Sequence, residues 1–406
     1  MIEKLKILFV STFVPGPNTN HAGGRDVFHI MRRLAENHQI SIICLANSPE
    51  EISKNAASLE FCKHVEIIQS SNGFLSTLRR VSNYFRLPRS VARFYSVELH
   101  QTLHRLLERS RFDVIQYENV QVLPYAEGIQ IPGVLDCIDV NFMPMFQSYL
   151  SGRGSFLRRL YWLLEWPRLQ IYEARKIREF KGIIVRSKKD EILVRAINSS
   201  ARVAVVQSLP LTASMAADPA RPRPRKRPVI PKVMFMGAMW RPINSDACLY
   251  FLEQIWPKVR QVLPEAEFWI VGDSPPSNIT KYHEKDNIVV TGYVDDMLPY
   301  FKECSVVVVP MLAAGGILYK IYDAMHIGIP VVSTSVANQG IDAIHGQHIL
   351  LADNAQDFAE HVVDLLRDDH LYARLSENSE RFINEKFDWE RSVRDVEDLY
   401  SYLAQK

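Results

Sequence analysis

The sequence predicts an α/β protein with two doubly wound parallel-sheet domains. The chain has 406 residues, more than one hydrophobic core usually serves, so two domains of roughly 150 to 200 residues each are expected. Short β-branched runs alternate with amphipathic segments in both halves, as a parallel sheet with crossover helices requires. A stretch rich in proline and arginine, residues 219–228, separates the two halves.

The first half opens with a β-loop-α-β pattern. An apolar run at residues 6–11 is followed by a loop rich in proline, glycine and asparagine, a helical pattern at 24–37 and a second apolar run at 40–45. Further strands are predicted at residues 65–68, 114–117, 134–135 and 183–185. The first domain is therefore placed at residues 1–218.

Residues 219–228 are the predicted linker, because proline removes backbone donors and a block of like charge repels itself. Beyond it the pattern restarts and predicts a second domain at residues 229–388. Its strands are expected at 232–236, 267–271, 288–291 and 305–310, with a helix near 245–263. The last segment, 389–406, is helical and at about 1.5 Å per residue is long enough to pack back onto the first domain.

The composition limits the classes of partner that the protein is expected to bind and the cellular compartment in which it is expected. The 48 basic and 46 acidic residues leave a net charge of +2, so no overall field favours nucleic acid. Five widely spaced cysteines predict buried thiols in a reducing compartment rather than disulfides or a zinc site. The opening residues do not resemble a signal peptide, and no apolar run reaches the roughly 20 residues that a membrane span needs. A cytoplasmic protein is expected.

Doubly wound domains bind ligands at the carboxyl ends of their strands, which directs attention to two loops of the first half. Gly23 and Gly24 follow the opening strand, where a helix N-terminus could face an anion or simply form a turn. Asp136 and Asp139 follow the strand predicted to end at residue 135. Their carboxylates could meet an acceptor hydroxyl, or they could serve as turn and helix caps.

Two loops of the second half carry charged residues at the same kind of position. Arg241 lies just beyond the glycine that ends the first strand, where it could clamp a diphosphate or remain a solvated surface side chain. A double glycine, Gly315 and Gly316, leads from a buried strand into a helix. On that helix Lys320 and Asp323 lie three residues apart, hence on one face. Their apolar neighbours favour a binding site over an exposed ion pair.

From about residue 233 to 400 the chain resembles glycosyltransferase family 4, a retaining family with the GT-B fold of two Rossmann-like domains facing across a cleft. The likeness is greatest to its branch of exopolysaccharide-type sugar transferases. It rests on four ordered stretches: FMGAMWRPIN from residue 235, PEAEFWIVG from 264, VTGYVDD from 290 and VVSTSVANQG from 331.

The resemblance implies a nucleotide-diphosphate sugar donor, UDP- or GDP-linked, held mainly by the second domain. The base would lie near Gly292, Tyr293 and Val294, the diphosphate near Lys320 and Arg241, and the ribose near Asp323. Gly315 and Gly316 would border the phosphates, and Gly23 and Gly24 would approach them from the first domain. The acceptor, a glycan or a lipid-linked precursor, would meet Asp139 or Asp136.

The implied mechanism is attack on the same face as the departing diphosphate, with no protein nucleophile. The chain contains no Asp-x-Asp, so neither a catalytic metal nor a cofactor is expected. The chain departs from the family pattern at several places: Gly315 replaces the first of two glutamates, Asp323 replaces the second, and Leu318 stands where this branch has arginine. Residues 207–210, QSLP, replace the usual Asn-Gly-Val-Asp. A nucleotide-sugar epimerase and a non-catalytic sugar-nucleotide-binding subunit are therefore alternatives.

Two stretches of the first half, residues 74–89 and 156–168, combine arginine with leucine and aromatic residues. Arginine on a polar face with leucine and tryptophan opposite suits an interfacial helix on an anionic membrane. An ordinary packing helix with snorkelling arginines is an equal alternative. The first interpretation predicts peripheral contact with the inner face of the membrane.

Overall fold

A computed structural model describes most of the chain. The described residues are 4–17, 19, 22–70, 84, 86–137, 156–206, 212, 226–313, 317–386 and 388–405. The chain divides into two compact units: Met1–Leu209 together with Trp389–Lys406, and Pro210–Asp388. The boundary after Leu209 precedes the predicted linker, most of which lies outside the described residues.

The sheet of the first unit is fully parallel, with strand order β3-β2-β1-β4-β5-β6-β7. Its inner strands are buried on both faces, which explains their continuous β-branched runs. The seven strands are β1 (Lys6–Ser11), β2 (Gln39–Ala46), β3 (His64–Gln69), β4 (Val114–Glu118), β5 (Gly133–Cys137), β6 (Gly182–Val185) and β7 (Arg202–Val205).

Helices cover both faces of this sheet, as crossover connections between parallel strands require. Serine side chains cap several of them; Ser187, for example, accepts from the backbone N–H of Asp190. The helices are α1 (Ala22–Leu34), α2 (Pro49–Asn55), α3 (Arg89–Ala92), α4 (Val97–Arg109), α5 (Phe156–Glu179) and α6 (Lys188–Ile197), with 3₁₀ turns at Ala56–Leu59 and Val120–Ala126.

The second unit repeats the architecture with a six-stranded parallel sheet in the order β10-β9-β8-β11-β12-β13. The order reverses between β8 and β11, and such a switch point opens a crevice at the carboxyl edge of a sheet. The strands are β8 (Lys232–Met236), β9 (Glu267–Val271), β10 (Ile288–Gly292), β11 (Val306–Val309), β12 (Val331–Ser333) and β13 (Leu350–Leu351).

The helix predicted at residues 245–263 is interrupted by a π-helical turn, Phe251–Ile255. Pro257 follows this turn and has no N–H to continue the ladder of hydrogen bonds, which accounts for the interruption. The helices of this unit are α7 (Pro242–Tyr250), α8 (Trp256–Val262), α9 (Ser277–Thr280), α10 (Leu298–Glu303), α11 (Tyr319–His326), α12 (Ala355–Arg367) and α13 (Asp369–Lys386).

The C-terminal helix α14 (Trp389–Ala404) belongs to the first unit. Its buried side chains Val396, Leu399 and Leu403 join the core that contains β1 and β2. The leucines lie so close to the sheet that a Cβ on Gly182 of β6 would be 2.6 Å from Leu403. Helix α14 therefore completes the core of the unit that the N-terminal half begins.

The predicted fold class is confirmed: each unit is a doubly wound parallel α/β domain. All five cysteines are free thiols; four are buried and Cys62 is half-buried. Among the described residues, no helix is long and apolar enough to cross a membrane.

Candidate functional site

Three glycines lie where strands β8, β9 and β10 end, at the carboxyl edge of the second unit's sheet. Gly237 donates to the carbonyl of Val271 at 3.0 Å, and Gly272 donates to the carbonyl of Gly292 at 3.1 Å. A Cβ on Gly272 would lie only 1.8 Å from the carbonyl oxygen of Gly237. The backbones of neighbouring loops can approach this closely only because the side chain is absent.

Lys320, in the first turn of α11, directs its ammonium group to the same edge. Its Nζ donates to Oδ1 of Asn244 at 3.0 Å and lies 4.5 Å from the centre of the Phe235 ring. A Cβ on Gly237 would lie 3.2 Å from this Nζ, so the glycine also makes room for the cation. Among the described residues, no carboxylate lies within ion-pair distance of Nζ.

Burial, with the positive charge of Arg241 as the second cause, lowers the pKa of Lys320 to about 7. Arg241 is exposed and lies at the start of α7. Two cations therefore share one region, and no described carboxylate compensates Lys320, an arrangement that an anionic ligand would stabilise. The exposed helical ion pair that the sequence left as an alternative for Lys320 and Asp323 does not account for this geometry.

Asn244 is a residue of the site that the sequence pattern did not single out. Its side chain is buried, and its Nδ2 donates to the carbonyl of Ala238 at 3.0 Å while its Oδ1 accepts from Lys320. One amide thus links the loop after β8 to the lysine of α11. The contact joins residues 76 positions apart, which local sequence spacing does not reveal.

The start of α11 provides backbone donors near the lysine. Among the described residues, no side chain caps this helix, and the N–H of Ile321 donates to the carbonyl of Leu318 at 2.9 Å. Helix N-termini attract anions through their dipole and first-turn amides. Asp323 is buried in the second turn, and its backbone carbonyl accepts from Oγ1 of Thr212 at 3.0 Å. Gly315 and Gly316, predicted to border the phosphates, lie outside the described residues.

The predicted base-binding segment follows β10. Tyr293 is 50% exposed, whereas Val294 packs partly against the core. An exposed aromatic ring next to a backbone turn can stack on a planar base. Trp240 is the other exposed aromatic of this edge, one residue before Arg241. The roles of Gly292, Tyr293 and Val294 remain predictions.

In the first unit, Gly23 and Gly24 lie within the first turn of α1 rather than before it. Their approach to a donor phosphate stays a prediction. Asp139 lies outside the described residues. The sequence placed Asp136 in a loop after residue 135, and this was wrong: β5 continues to Cys137 because the run remains buried through that residue.

Asp136 is fully buried and accepts from Nη2 of Arg186 at 2.6 Å. Its neighbour on β4, Glu118, is equally buried and accepts from Nε2 of Gln116 at 2.7 Å. Burial, reinforced by the charge of Asp136, raises the pKa of Glu118 well above its usual range. The hydroxyl of Tyr400 completes this cluster by donating to Gln116. These contacts favour a structural role for Asp136, and the acceptor-side role predicted for Asp136 or Asp139 stays a prediction.

Residues 230–368 match a family model described as Glycosyl transferases group 1. The chain is similar to an uncharacterized 44.6 kDa protein in the cps region of Klebsiella pneumoniae, with 19% identity over 395 residues, 94% of this chain and 96% of that protein.

Many solved structures resemble nearly the whole chain, and two of them are representative. Sucrose-phosphate synthase (tll1590) from Thermosynechococcus elongatus aligns with a TM-score of 0.69 at 15% identity, covering 98% of this chain and 99% of that one. Anabaena Alr3699/HepE in complex with UDP-glucose aligns with a TM-score of 0.65 at 15% identity, covering 98% and 100%. These likenesses show that the chain has the GT-B fold, and residues 230–368 carry the match to the glycosyl transferase family.

Proposed function

We propose that the chain transfers a sugar from a nucleotide-diphosphate donor to a glycan or a lipid-linked glycan precursor. The observation that carries the proposal is the ammonium of Lys320, which is held near Arg241 at a switch point and has no carboxylate partner among the described residues. A diphosphate supplies the two negative charges that such a pair lacks. The structural relative HepE is known in complex with UDP-glucose, which supports UDP as the nucleotide, with GDP as the alternative.

In the proposed reaction the two cations stabilise the charge that develops on the departing diphosphate. The first-turn amides of α11 contribute to the same stabilisation, and the buried carboxylate of Asp323 is assigned to the ribose hydroxyls. We assign the transfer a retaining outcome, in which a phosphate oxygen of the leaving group accepts the acceptor proton on the face of attack. Orientation and electrostatics then supply the rate enhancement, with no metal or cofactor.

The proposed setting is polysaccharide biosynthesis in the cytoplasm, at the anionic inner face of the membrane. A protein placed there would meet both a water-soluble nucleotide sugar and a lipid-linked acceptor. The five free thiols are compatible with a reducing compartment.

The proposal is tested by calorimetric titration of the full chain with UDP, GDP, ADP and CMP and with their sugar conjugates. One nucleotide is expected to bind selectively. Lys320→Met should weaken that binding by about tenfold or more, because removing a charge-assisted contact typically costs 1.5 to 3 kcal/mol. The matched control is Lys232→Met, since Lys232 lies at the opposite end of β8 and pairs with Glu303.

The alternatives give different results in the same experiment. Conversion of the bound donor to another nucleotide sugar without acceptor would identify an epimerase. Selective binding without turnover across acceptor mixtures would identify a non-catalytic subunit. If no nucleotide binds, or if Lys320→Met binds as tightly as the wild type, the donor site is misassigned.

A further inference from the structure

Helix α5 presents large aliphatic side chains to solvent along one side. Leu160, Leu164 and Ile171 are 40%, 62% and 69% exposed, and Leu163 is 45% exposed. Spacings of four and seven residues place the first three on a single face of a helix. Single exposed leucines are ordinary, but a contiguous apolar patch marks a surface that contacts something other than water.

Two of the three carboxylates of α5 lie on its buried side, together with the ammonium of Lys176. Its carboxylates Glu165 and Glu173 are buried, at 4% and 1% exposure. Arg175 and Arg178 are exposed on the side that carries the leucines, one and two turns beyond Ile171. The exposed carboxylate of Glu179 lies at the end of the helix, where it pairs with Lys176 and approaches Arg175. The solvent side is therefore apolar in its first half and cationic in its second.

The rest of α5 is fixed to the first unit. Leu169 packs on Val91, and Ile177 belongs to the core that contains β4 and β5. Arg168 donates to the backbone carbonyl of Tyr84 and, at 3.0 Å, to that of Leu87. The exposed leucines thus lie on a helix whose opposite side is packed against the first unit. A partner can contact them without any rotation of the helix.

We propose that the apolar and cationic side of α5, defined by Leu160, Leu164, Ile171, Arg175 and Arg178, binds an anionic lipid bilayer. Aliphatic side chains enter the boundary between headgroups and acyl chains, while arginines pair with lipid phosphates. This side of α5 would make the membrane contact that the proposed function includes. Lipid binding through it does not require sugar transfer.

A second copy of the chain fits this surface less well than a bilayer does. Two such helices packed in parallel would bring Arg175 and Arg178 against the same residues of the copy. Packed antiparallel, they would set arginines against leucines, which leaves the charges without partners. Nucleic acid would satisfy the arginines but gives no contact to the leucines. An anionic bilayer offers both kinds of contact.

The test is flotation of the full chain with vesicles of phosphatidylcholine alone or mixed with phosphatidylglycerol. The wild type is expected to float with the mixed vesicles and to be released from them by high salt. Leu164→Ser combined with Ile171→Ser should lower binding about tenfold or more, since two exposed aliphatic side chains lose their contact with lipid. Arg175→Gln combined with Arg178→Gln should lower binding to the mixed vesicles by a similar factor.

The matched control is Val65→Ser, because Val65 is also an exposed aliphatic residue of the first unit but lies on edge strand β3. It should bind as the wild type does. Unfolding temperature and UDP titration of each variant separate loss of membrane binding from loss of fold or of the donor site. A wild type that floats with neither vesicle overturns the proposal, as does undiminished flotation of the serine pair. Self-association that the serine pair abolishes would assign the surface to a second copy instead.

Discussion

The Nζ of Lys320 lies 3.0 Å from Oδ1 of Asn244, and the same amide donates to the carbonyl of Ala238. The lysine is thereby held next to a loop that carries a second cation, Arg241. The side chains that hold Lys320 are therefore already in place in the free protein. The lowered pKa of Lys320 shows that burial and the nearby Arg241 disfavour its charged form.

Nucleotide binding should depend on pH through Lys320. Its pKa in the free protein is about 7, and a bound diphosphate would raise it, so binding takes up a proton above pH 7. Affinity should therefore fall as pH rises from about 7 to 9, by up to about tenfold per unit. Titrations in buffers of different ionisation enthalpy measure the proton uptake. Lys320→Arg is the control, because its guanidinium stays charged throughout and should remove the dependence.

Asn244→Asp should weaken nucleotide binding more than Asn244→Ala does. The aspartate would place a carboxylate beside Nζ and compete with the diphosphate, whereas alanine only frees the lysine and the loop. We expect losses of roughly tenfold for alanine and more for aspartate, measured by calorimetry. Ser245→Ala, in the same turn of α7, should change affinity little. Equal affinity of the aspartate variant and the wild type would show that Asn244 does not position the lysine.

Gly272→Ala should destabilise the second unit. The added Cβ would overlap the carbonyl oxygen of Gly237, and the glycine has a φ of +148°. A loss of about 2 to 4 kcal/mol in the free energy of unfolding is expected, measured by urea denaturation. Gly346→Ala serves for comparison, because its φ is +73° but no atom lies within 4 Å of the added Cβ. That variant should lose about 1 kcal/mol, and a similar loss in both would place the effect in backbone strain alone.

Glu118→Gln should stabilise the first unit at high pH. The pKa of Glu118 is raised in the folded protein, so its contribution to stability is fully present below the unfolded pKa near 4.3 and is lost as pH rises through the folded pKa. Glutamine mimics the protonated side chain at every pH. The Tm difference between variant and wild type should widen from pH 5 to pH 8, at about 2–4 °C per kcal/mol. A difference that stays constant with pH would contradict the buried protonation.

Much of the fold could be predicted from the sequence because parallel strands that are buried on both faces consist of continuous runs of β-branched residues. Strands β1, β8 and β9 have the predicted bounds. The pattern did not reveal β7, which opens with an exposed arginine, nor β12 and β13, which span only three and two residues. Runs as short or as mixed in polarity as these give little periodic signal.

The site could be predicted in part. Lys320 and Arg241 are singled out by charge beside glycine at strand ends, and the structure brings them into one electrostatic environment. Asn244, which accepts from Lys320, was missed because this contact joins segments that are far apart in the sequence. Glu118 was missed for another reason: a glutamate that ends a strand has the pattern of a solvated edge, and only packing reveals that it is buried beside Gln116, to which Tyr400 of helix α14 donates.

Because helix α14 packs into the first unit, the two units can complete their folding in a defined order during synthesis. On the ribosome, the segment Pro210–Asp388 is complete and can close its sheet while the last residues are still being added. The earlier-made unit must wait, since Leu399 and Leu403 fill the space beside Gly182 and Tyr400 satisfies Gln116. The half that is synthesised first is thus the half that can finish folding last.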